Sequence, residues 1–368
     1  MNILFIAPLP PPITGHSLVS EVLFDSLSKD QNASSVNLSK HSFKEGINGF
    51  SRFVEIARIL KQISRKRKRA DVVYFTISES MAGNLKDILI YLLLGRLLPK
   101  TYIHLHGGSI KRLLWDKHKS IYKINRSIIR KLAGVIISGK SHIPIFEGMI
   151  DAPKLYIVPN FASEHIFSNE AQIKKKFSNT TPLRILYMSN LIEKKGYWEL
   201  AQAYINLSKE MRNEIEIDFA GAFDSEDEKE IFINEIRGYP SLKYHGRVTE
   251  EEKRELYFNS HVFSLPTSYF EGQPISILEA YASGCFVITT GQKGILDIFE
   301  NNKNGFEIKD RSLNSVKSVL EKVLKNKNIL LQTALHNHAQ ALLHYRESTY
   351  VSAITKIILN KESEDKIL

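Results

Sequence analysis

Residues 264–290, SLPTSYFEGQPISILEAYASGCFVITT, decide how this chain folds. An apolar strand from His261 to Leu265 leads into a loop, a short helix opens at about Pro274, and a second strand runs from Cys285 to Thr290. Proline suits a first helical position, because the N–H it lacks would have no partner there. A helix starting here turns free backbone N–H groups and the positive end of its dipole toward the loop, which makes a site for phosphate. Ile275, Leu278 and Ala282 share an apolar face, and Ser276, Glu279 and Ser283 share the opposite one. Glu271 precedes the helix and Glu279 projects from its second turn, so at most about 12 Å separates them. Two carboxylates flanking an anion-binding helix end suit a ligand with hydroxyls at both ends and a diphosphate between.

Outward from this stretch, strand and helix patterns alternate in both directions. Strands are expected at 2–7, 34–39, 71–77, 101–107, 134–138 and 154–160, then at 183–189, 214–221 and 242–246, with helical periodicity between them. Such alternation implies an α/β class with mostly parallel sheets and helices on both faces. The length of 368 residues allows two such domains. In the first, Gly15 and His16 open a helix directly beyond the first strand, where open α/β sheets bind ligands. His106 ends the 101–107 strand before two glycines, and His104 has the same alternation parity but lies deeper. At Thr249, a threonine followed three residues later by Glu252 predicts a capping box. Two amphipathic helices are expected over 311–345 and a last one over 349–359, before a charged tail, KESEDK, expected to fray.

Composition narrows the partners. Hydrophobic residues make up 43% and charged ones 24%, as in ordinary soluble domains. The single cysteine, Cys285, excludes a disulfide framework and points to a reducing compartment. The amino terminus lacks the basic start of a signal peptide, and the apolar run at 88–99 is too short to span a membrane. Residues 1–165 hold 24 Lys and Arg against 12 Asp and Glu, a balance of +12 that exceeds the +10 of the whole chain. The first half is therefore expected to face an anionic partner. Arg65–Arg69 has no interleaved aromatics, which argues against single-stranded nucleic acid. Residues 110–131 mix basic side chains with Leu113, Leu114, Trp115, Ile121 and Ile128, a composition suited to an anionic membrane surface. The acidic run 224–228 reads as a helix start capped by Ser225 rather than a metal site, and no zinc spacing occurs.

The run E-G-Q-P-I-S-I-L-E-A-Y-A-S-G-C-F-V-I resembles the E-x7-E signature of retaining glycosyltransferases with the GT-B fold, especially glycosyltransferase family 4. The resemblance implies two facing Rossmann-like domains with a cleft between them: an acceptor domain over 1–162 plus a crossover helix at 345–368, and a donor domain over 163–344. It also implies that Glu271 contacts the donor sugar and that Glu279 holds the nucleotide ribose. Gly272, Gln273, Pro274 and Ile275 would form the phosphate-facing helix start. S-N-L-I-E-K-K-G resembles the family loop that binds the donor diphosphate, which places Lys195 on phosphate. Asn190 stands where the family usually has arginine, and Lys194 or Arg247 is the available substitute for that charge. H-L-H-G-G resembles the segment whose histidine faces the donor sugar, which falls on His106; Gly15 and His16 are further donor-binding candidates. The implied activity is transfer of a sugar from a nucleoside diphosphate sugar to a glycan or lipid-linked acceptor, in bacterial surface polysaccharide synthesis. No cofactor or metal is called for, and the expected location is cytoplasmic, peripheral on the inner face of the plasma membrane. Two alternatives stand beside it: a nucleotide-sugar epimerase or hydrolase of the same fold, and a non-catalytic basic membrane-binding protein.

Overall fold

The computed structural model describes residues 1–12, 14–39 and 49–360, so the KESEDK tail lies outside the described residues. The chain divides into two compact units, Met1–Pro159 with Ser348–Leu368, and Asn160–Glu347.

Among the described residues the first unit holds one six-stranded parallel sheet. Its strands are β1 (Asn2–Ala7), β2 (Asn32–Asn37), β3 (Val72–Thr76), β4 (Thr101–Leu105), β5 (Gly134–Ile137) and β6 (Leu155–Ile157), in the order β2-β1-β3-β4-β5-β6. Every residue of β3, β4 and β5 is buried, and edge strands β2 and β6 are mixed. This is the pattern of a parallel sheet covered on both faces, where central strands are continuously apolar. Leu4, Ile6, Phe75, Ile103 and Val135 form the centre of its core. The chain moves outward from β1 to β2 and returns on the other side at β3. Such a switch opens a crevice at the strand carboxyl ends.

The second unit repeats the design with β7 (Leu183–Met188), β8 (Ile215–Ala220), β9 (Leu242–Gly246), β10 (Val262–Leu265), β11 (Phe286–Thr290) and β12 (Gly305–Ile308), ordered β12-β11-β10-β7-β8-β9. Here the switch falls between β7 and β10, paired in parallel through Val262 with Ile185 and Phe263 with Leu186. The loops after these two strands therefore emerge side by side.

Several expectations are corrected by the fold. The helix of the opening stretch spans Ile275–Ala282, and Pro274 is its N-cap rather than its first helical residue. Of the face shared by Ser276, Glu279 and Ser283, Glu279 and Ser283 are buried and Ser276 is partly exposed. A strand, β12, follows the 301–305 turn, and a helix covers Glu170–Lys176. That helix carries a capping box between Asn169 and Gln172, a signal present in the sequence. The Thr249–Glu252 capping box forms as expected. In 110–131, a wide turn at Lys111–Trp115 shifts the helical phase and points Leu114 and Trp115 inward. The Trp115 ring lies 5.8 Å from that of Phe146 and 6.4 Å from that of Tyr122, centroid to centroid, so it is core and not available to a membrane.

Candidate functional site

The loop after β7 and the loop after β10 are locked together by backbone contacts. Gly196 adopts φ +82°, and a Cβ there would lie 2.0 Å from the Pro266 carbonyl oxygen. Only glycine allows both the left-handed backbone and this approach. One residue group upstream, the Lys194 carbonyl accepts from the Ser268 N–H at 2.8 Å and the Tyr269 N–H at 3.1 Å. This fixes the neighbouring Lys195, whose ammonium lies 3.2 Å from Glu271 Oε1 and 5.2 Å from the centroid of the Tyr269 ring. Thr267 Oγ1 donates to the same Glu271 oxygen at 3.4 Å. Both members of the pair are largely buried, at 17% and 11% side-chain exposure, so their charges interact through a medium that screens less than water.

Two supporting groups escaped the sequence reading. Arg311 donates to the Glu193 carbonyl at 3.0 Å and to Ser268 Oγ at 2.9 Å, and its Nε lies 2.6 Å from Glu199 Oε1. It ties the two loops together from the segment that follows β12. Gly294 backs onto the Glu271–Gly272 peptide, where a Cβ would stand 1.5 Å from the Gly272 oxygen. Neither could be paired with this loop without knowing the strand order.

Beyond Gly272, Gln273 serves the scaffold: its Oε1 accepts from the Asn160 N–H at 2.5 Å and its carbonyl accepts from Asn160 Nδ2 at 3.0 Å. The N–H groups of Ile275 and Ser276 open the helix, where first-turn donors lack intrahelical acceptors. One turn on, Glu279 Oε1 accepts from Lys253 Nζ at 2.9 Å and from Ser163 Oγ at 3.4 Å. Lys253 also lies 2.8 Å from Glu250, which in turn lies 2.9 Å from His165. Burial pulls the Lys253 ammonium downward, but Glu279 and Glu250 outweigh it and hold its pKa above the ordinary lysine value. The Glu279 carboxylate is thus preset by a lysine that nothing in the local sequence pattern marks.

The remaining polar candidates are not drawn into this pair. Asn190 and Arg247 are exposed; Asn190 starts the β7 loop, and Arg247 follows edge strand β9, separated from β7 by β8. Lys194 is also exposed and contributes its carbonyl. The acidic run forms a helix start, with the Glu228 N–H donating to Ser225 Oγ at 3.4 Å. Among the described residues no group of three or more His, Cys, Asp or Glu could hold a metal ion.

In the first unit, Thr14 and Ser17 form a capping box that fixes Gly15 and His16 at the start of their helix. The His16 ring lies against His106 at 4.2 Å between centroids, tilted by 44°, and His106 stacks on His104 at 3.9 Å. His104 Nδ1 meets the Tyr74 hydroxyl at 2.7 Å. Among the described residues the Nε2 atoms of all three are buried without a hydrogen-bond partner. Burial, with Lys86 adding to it, lowers His16 to about 4. Burial and then His16 lower His104 to about 3, and burial followed by its two neighbours holds His106 well below the ordinary range. All three rings are neutral at pH 7. Because the folded values lie below the unfolded 6.5, the stability they contribute is present above pH 6.5 and is lost as the pH falls toward 4. NMR ring-proton shifts of these histidines are expected to stay flat from about pH 7.5 to about 5.5. A titration centred near 6.5 in any of them would contradict the buried stack.

Residues 168–341 match the family described as Glycosyl transferases group 1. The chain is 23% identical over 245 residues to an uncharacterized glycosyltransferase of Methanocaldococcus jannaschii, covering 64% of this chain and 62% of that protein. It is 22% identical over 303 residues to the amylovoran biosynthesis glycosyltransferase AmsK of Erwinia amylovora, covering 80% of this chain and 71% of that one. Its fold is similar to the crystal structure of Anabaena HepE in complex with UDP, with a TM-score of 0.75 and 14% identity over 98% of this chain and 100% of that chain. The α/β architecture, with two six-stranded parallel sheets, is that of the GT-B class.

Proposed function

We propose that this chain, whose residues 168–341 form a domain of the glycosyl transferases of group 1, is a retaining, metal-independent glycosyltransferase of family 4. It would move a sugar from a nucleoside diphosphate sugar to a glycan or lipid-linked acceptor. The observation that carries this reading is the Lys195–Glu271 pair, 3.2 Å apart at the β7–β10 switch beside an open helix start. Lys195 and the first N–H groups of the Ile275–Ala282 helix take the diphosphate. There the ammonium meets charge that grows as the sugar departs, the main electrostatic task of such a transfer. Glu271, already held by Lys195 and Thr267, orients the sugar hydroxyls. Glu279 takes the ribose, its carboxylate held through Oε1 by Lys253 and Ser163. His106, neutral at pH 7, hydrogen-bonds a sugar hydroxyl without adding charge. An incubation with UDP-, GDP-, ADP- and CMP-sugars and glycan or lipid-linked acceptors, in EDTA, tests all of this at once. Transfer with the donor's anomeric configuration preserved is expected. Inversion, hydrolysis or epimerisation without acceptor, or a strict need for added manganese would refute it.

A place in surface polysaccharide assembly is favoured by the similarity to an amylovoran biosynthesis enzyme, and membrane attachment by the first unit's surface. No helix among the described residues is long and apolar enough to cross a membrane. Leu85, Leu89 and Leu92, at 48%, 45% and 69% exposure, form one stripe of the Met81–Leu94 helix. Arg65, Lys68 and Arg69 are exposed, whereas Lys66 donates to the Ser35 carbonyl and Arg67 to the Leu93 carbonyl. At about 1 kcal/mol for each cation near an anionic leaflet, three cations with a leucine stripe give reversible docking. Co-sedimentation with anionic vesicles is expected to fall with salt and on changing Arg65, Lys68 and Arg69 to Ser. Equal binding to neutral vesicles would contradict docking.

A further inference from the structure

Within the second unit, the rear end of the Ile275–Ala282 helix is closed more completely than the fold requires. Gly284 follows it at φ +67°. The Gly284 N–H donates to the Tyr281 carbonyl at 2.9 Å, and the Cys285 N–H to the Ala280 carbonyl at 2.8 Å. This is the Schellman arrangement, and it leaves the Ala282 and Ser283 carbonyls to find acceptor roles elsewhere. Ser168 meets both: its N–H donates to the Ala282 carbonyl at 3.1 Å and its hydroxyl to the Ser283 carbonyl at 3.2 Å. His338 Nδ1 also donates to the Ala282 carbonyl, at 2.8 Å. The carbonyls of the last turn are therefore paired before any charge is added.

A charge is nonetheless present. Lys176, the last residue of the Glu170–Lys176 helix, is 9% exposed, and its Nζ donates to the Ser283 carbonyl at 2.8 Å. The Tyr257 carbonyl at 3.5 Å and Cys285 Sγ at 3.7 Å complete its surroundings. Three acceptors match the three N–H donors of an ammonium. Burial lowers the Lys176 pKa, and Cys285 beside it works in the opposite direction. Among the described residues no carboxylate pairs with this lysine. A cation taken from water without a counter-ion is costly, and an apolar side chain of similar volume would avoid that cost. What compensates it here is the negative end of the helix dipole. The placement is tight, since a Cβ on Gly284 would stand 2.5 Å from Ile173 Cδ1 on the helix that carries Lys176.

A charge at the rear acts on the front. The eight residues of the helix span about 12 Å. A cation that neutralises the negative pole leaves the positive pole at Ile275 less opposed. Its own field also reaches that end through buried protein, where salt screens little. We propose that Lys176 is a positioning residue whose buried charge, acting through this helix, strengthens phosphate binding at the opposite end. The inference rests on the transferase reading above, which puts a diphosphate at the helix start.

Isothermal titration of the full chain with uridine, UMP and UDP, and with the guanosine and adenosine series, tests it. For the base that binds, Lys176→Met is expected to weaken the diphosphate about five- to tenfold, the monophosphate less, and the nucleoside by no more than about twofold. Lys176→Gln keeps a donor for the Ser283 carbonyl but no charge, and is expected to lose as much as the methionine variant. Both should stay folded, because Ser168 and His338 still cap the helix. Equal losses for nucleoside and diphosphate would make Lys176 a structural residue. Full diphosphate affinity in Lys176→Gln would reduce it to a hydrogen-bond donor. Either result overturns the proposal. A wild-type chain that gains no affinity from the phosphates would strike the transferase reading and this inference together, whereas a phosphate gain that survives both substitutions would strike Lys176 alone.

Discussion

Replacing Lys195 with alanine is expected to lower kcat by about 10²- to 10³-fold, the loss typical of removing one preorganised group from a developing negative charge. The acceptor KM should change little, because Lys195 is assigned to the leaving diphosphate and not to the acceptor. The fold should persist: the loop is held by the Lys194 carbonyl and by Arg311, neither of which the substitution touches. Glu271 would lose the ammonium and keep the Thr267 hydroxyl as a donor, so some misorientation of the sugar adds to the loss. Lys195→Arg should recover part of the rate and not all of it. A guanidinium keeps the charge but spreads it over a wider fork, and the site holds Tyr269 5.2 Å from the present ammonium. A loss confined to the acceptor KM would remove Lys195 from the phosphate.

Glu279→Gln is expected to raise the donor dissociation constant by about ten- to a hundredfold, corresponding to roughly 1.5–3 kcal/mol for a charge-assisted hydrogen bond. The amide retains an oxygen for Lys253, so the chain should remain folded, although the ammonium loses one of its two carboxylates. Lys253→Met should weaken donor binding in the same direction by freeing Glu279 to rotate, and the double variant should cost less than the sum. That non-additivity is the signature of two residues acting as one unit. Isothermal titration with the nucleotide at matched salt reads all three variants. Additive losses would mean that Lys253 supports the fold without presetting the carboxylate.

Much of this was legible from residue patterns, and the reasons are local. Continuous apolar runs such as VVYFT and FVITT mark covered parallel strands, and strand–helix alternation sets the class. The E-G-Q-P stretch combines a helix start with two carboxylates, all within one segment. What the pattern does not carry is adjacency. That β10 lies beside β7 follows from the sheet order, and this alone brings Lys195 to Glu271 across 76 residues of chain. The Lys253–Glu279 pair and the Gly294 contact are likewise tertiary. Alternation parity put His104 and His106 on one side of β4, but the arrival of His16 depends on the path of the β1 loop. Trp115 misled because amphipathic composition was read on a regular helical phase, and the wide turn at Lys111–Trp115 breaks that phase. The burial of Glu279 is likewise tertiary, with Lys253 Nζ 2.9 Å from its carboxylate.

The central claim is that the loops after β7 and β10, with the helix that follows, form a nucleoside diphosphate site. A thermal-shift panel of UDP, GDP, ADP and CMP tests it most directly, since a ligand that binds the folded state raises its apparent stability by mass action. One nucleoside diphosphate is expected to raise the melting temperature of the wild-type chain, with the shift reduced in Lys195→Ala and in Glu279→Gln. No shift with any nucleotide, or an equal shift in all three proteins, would contradict the assignment.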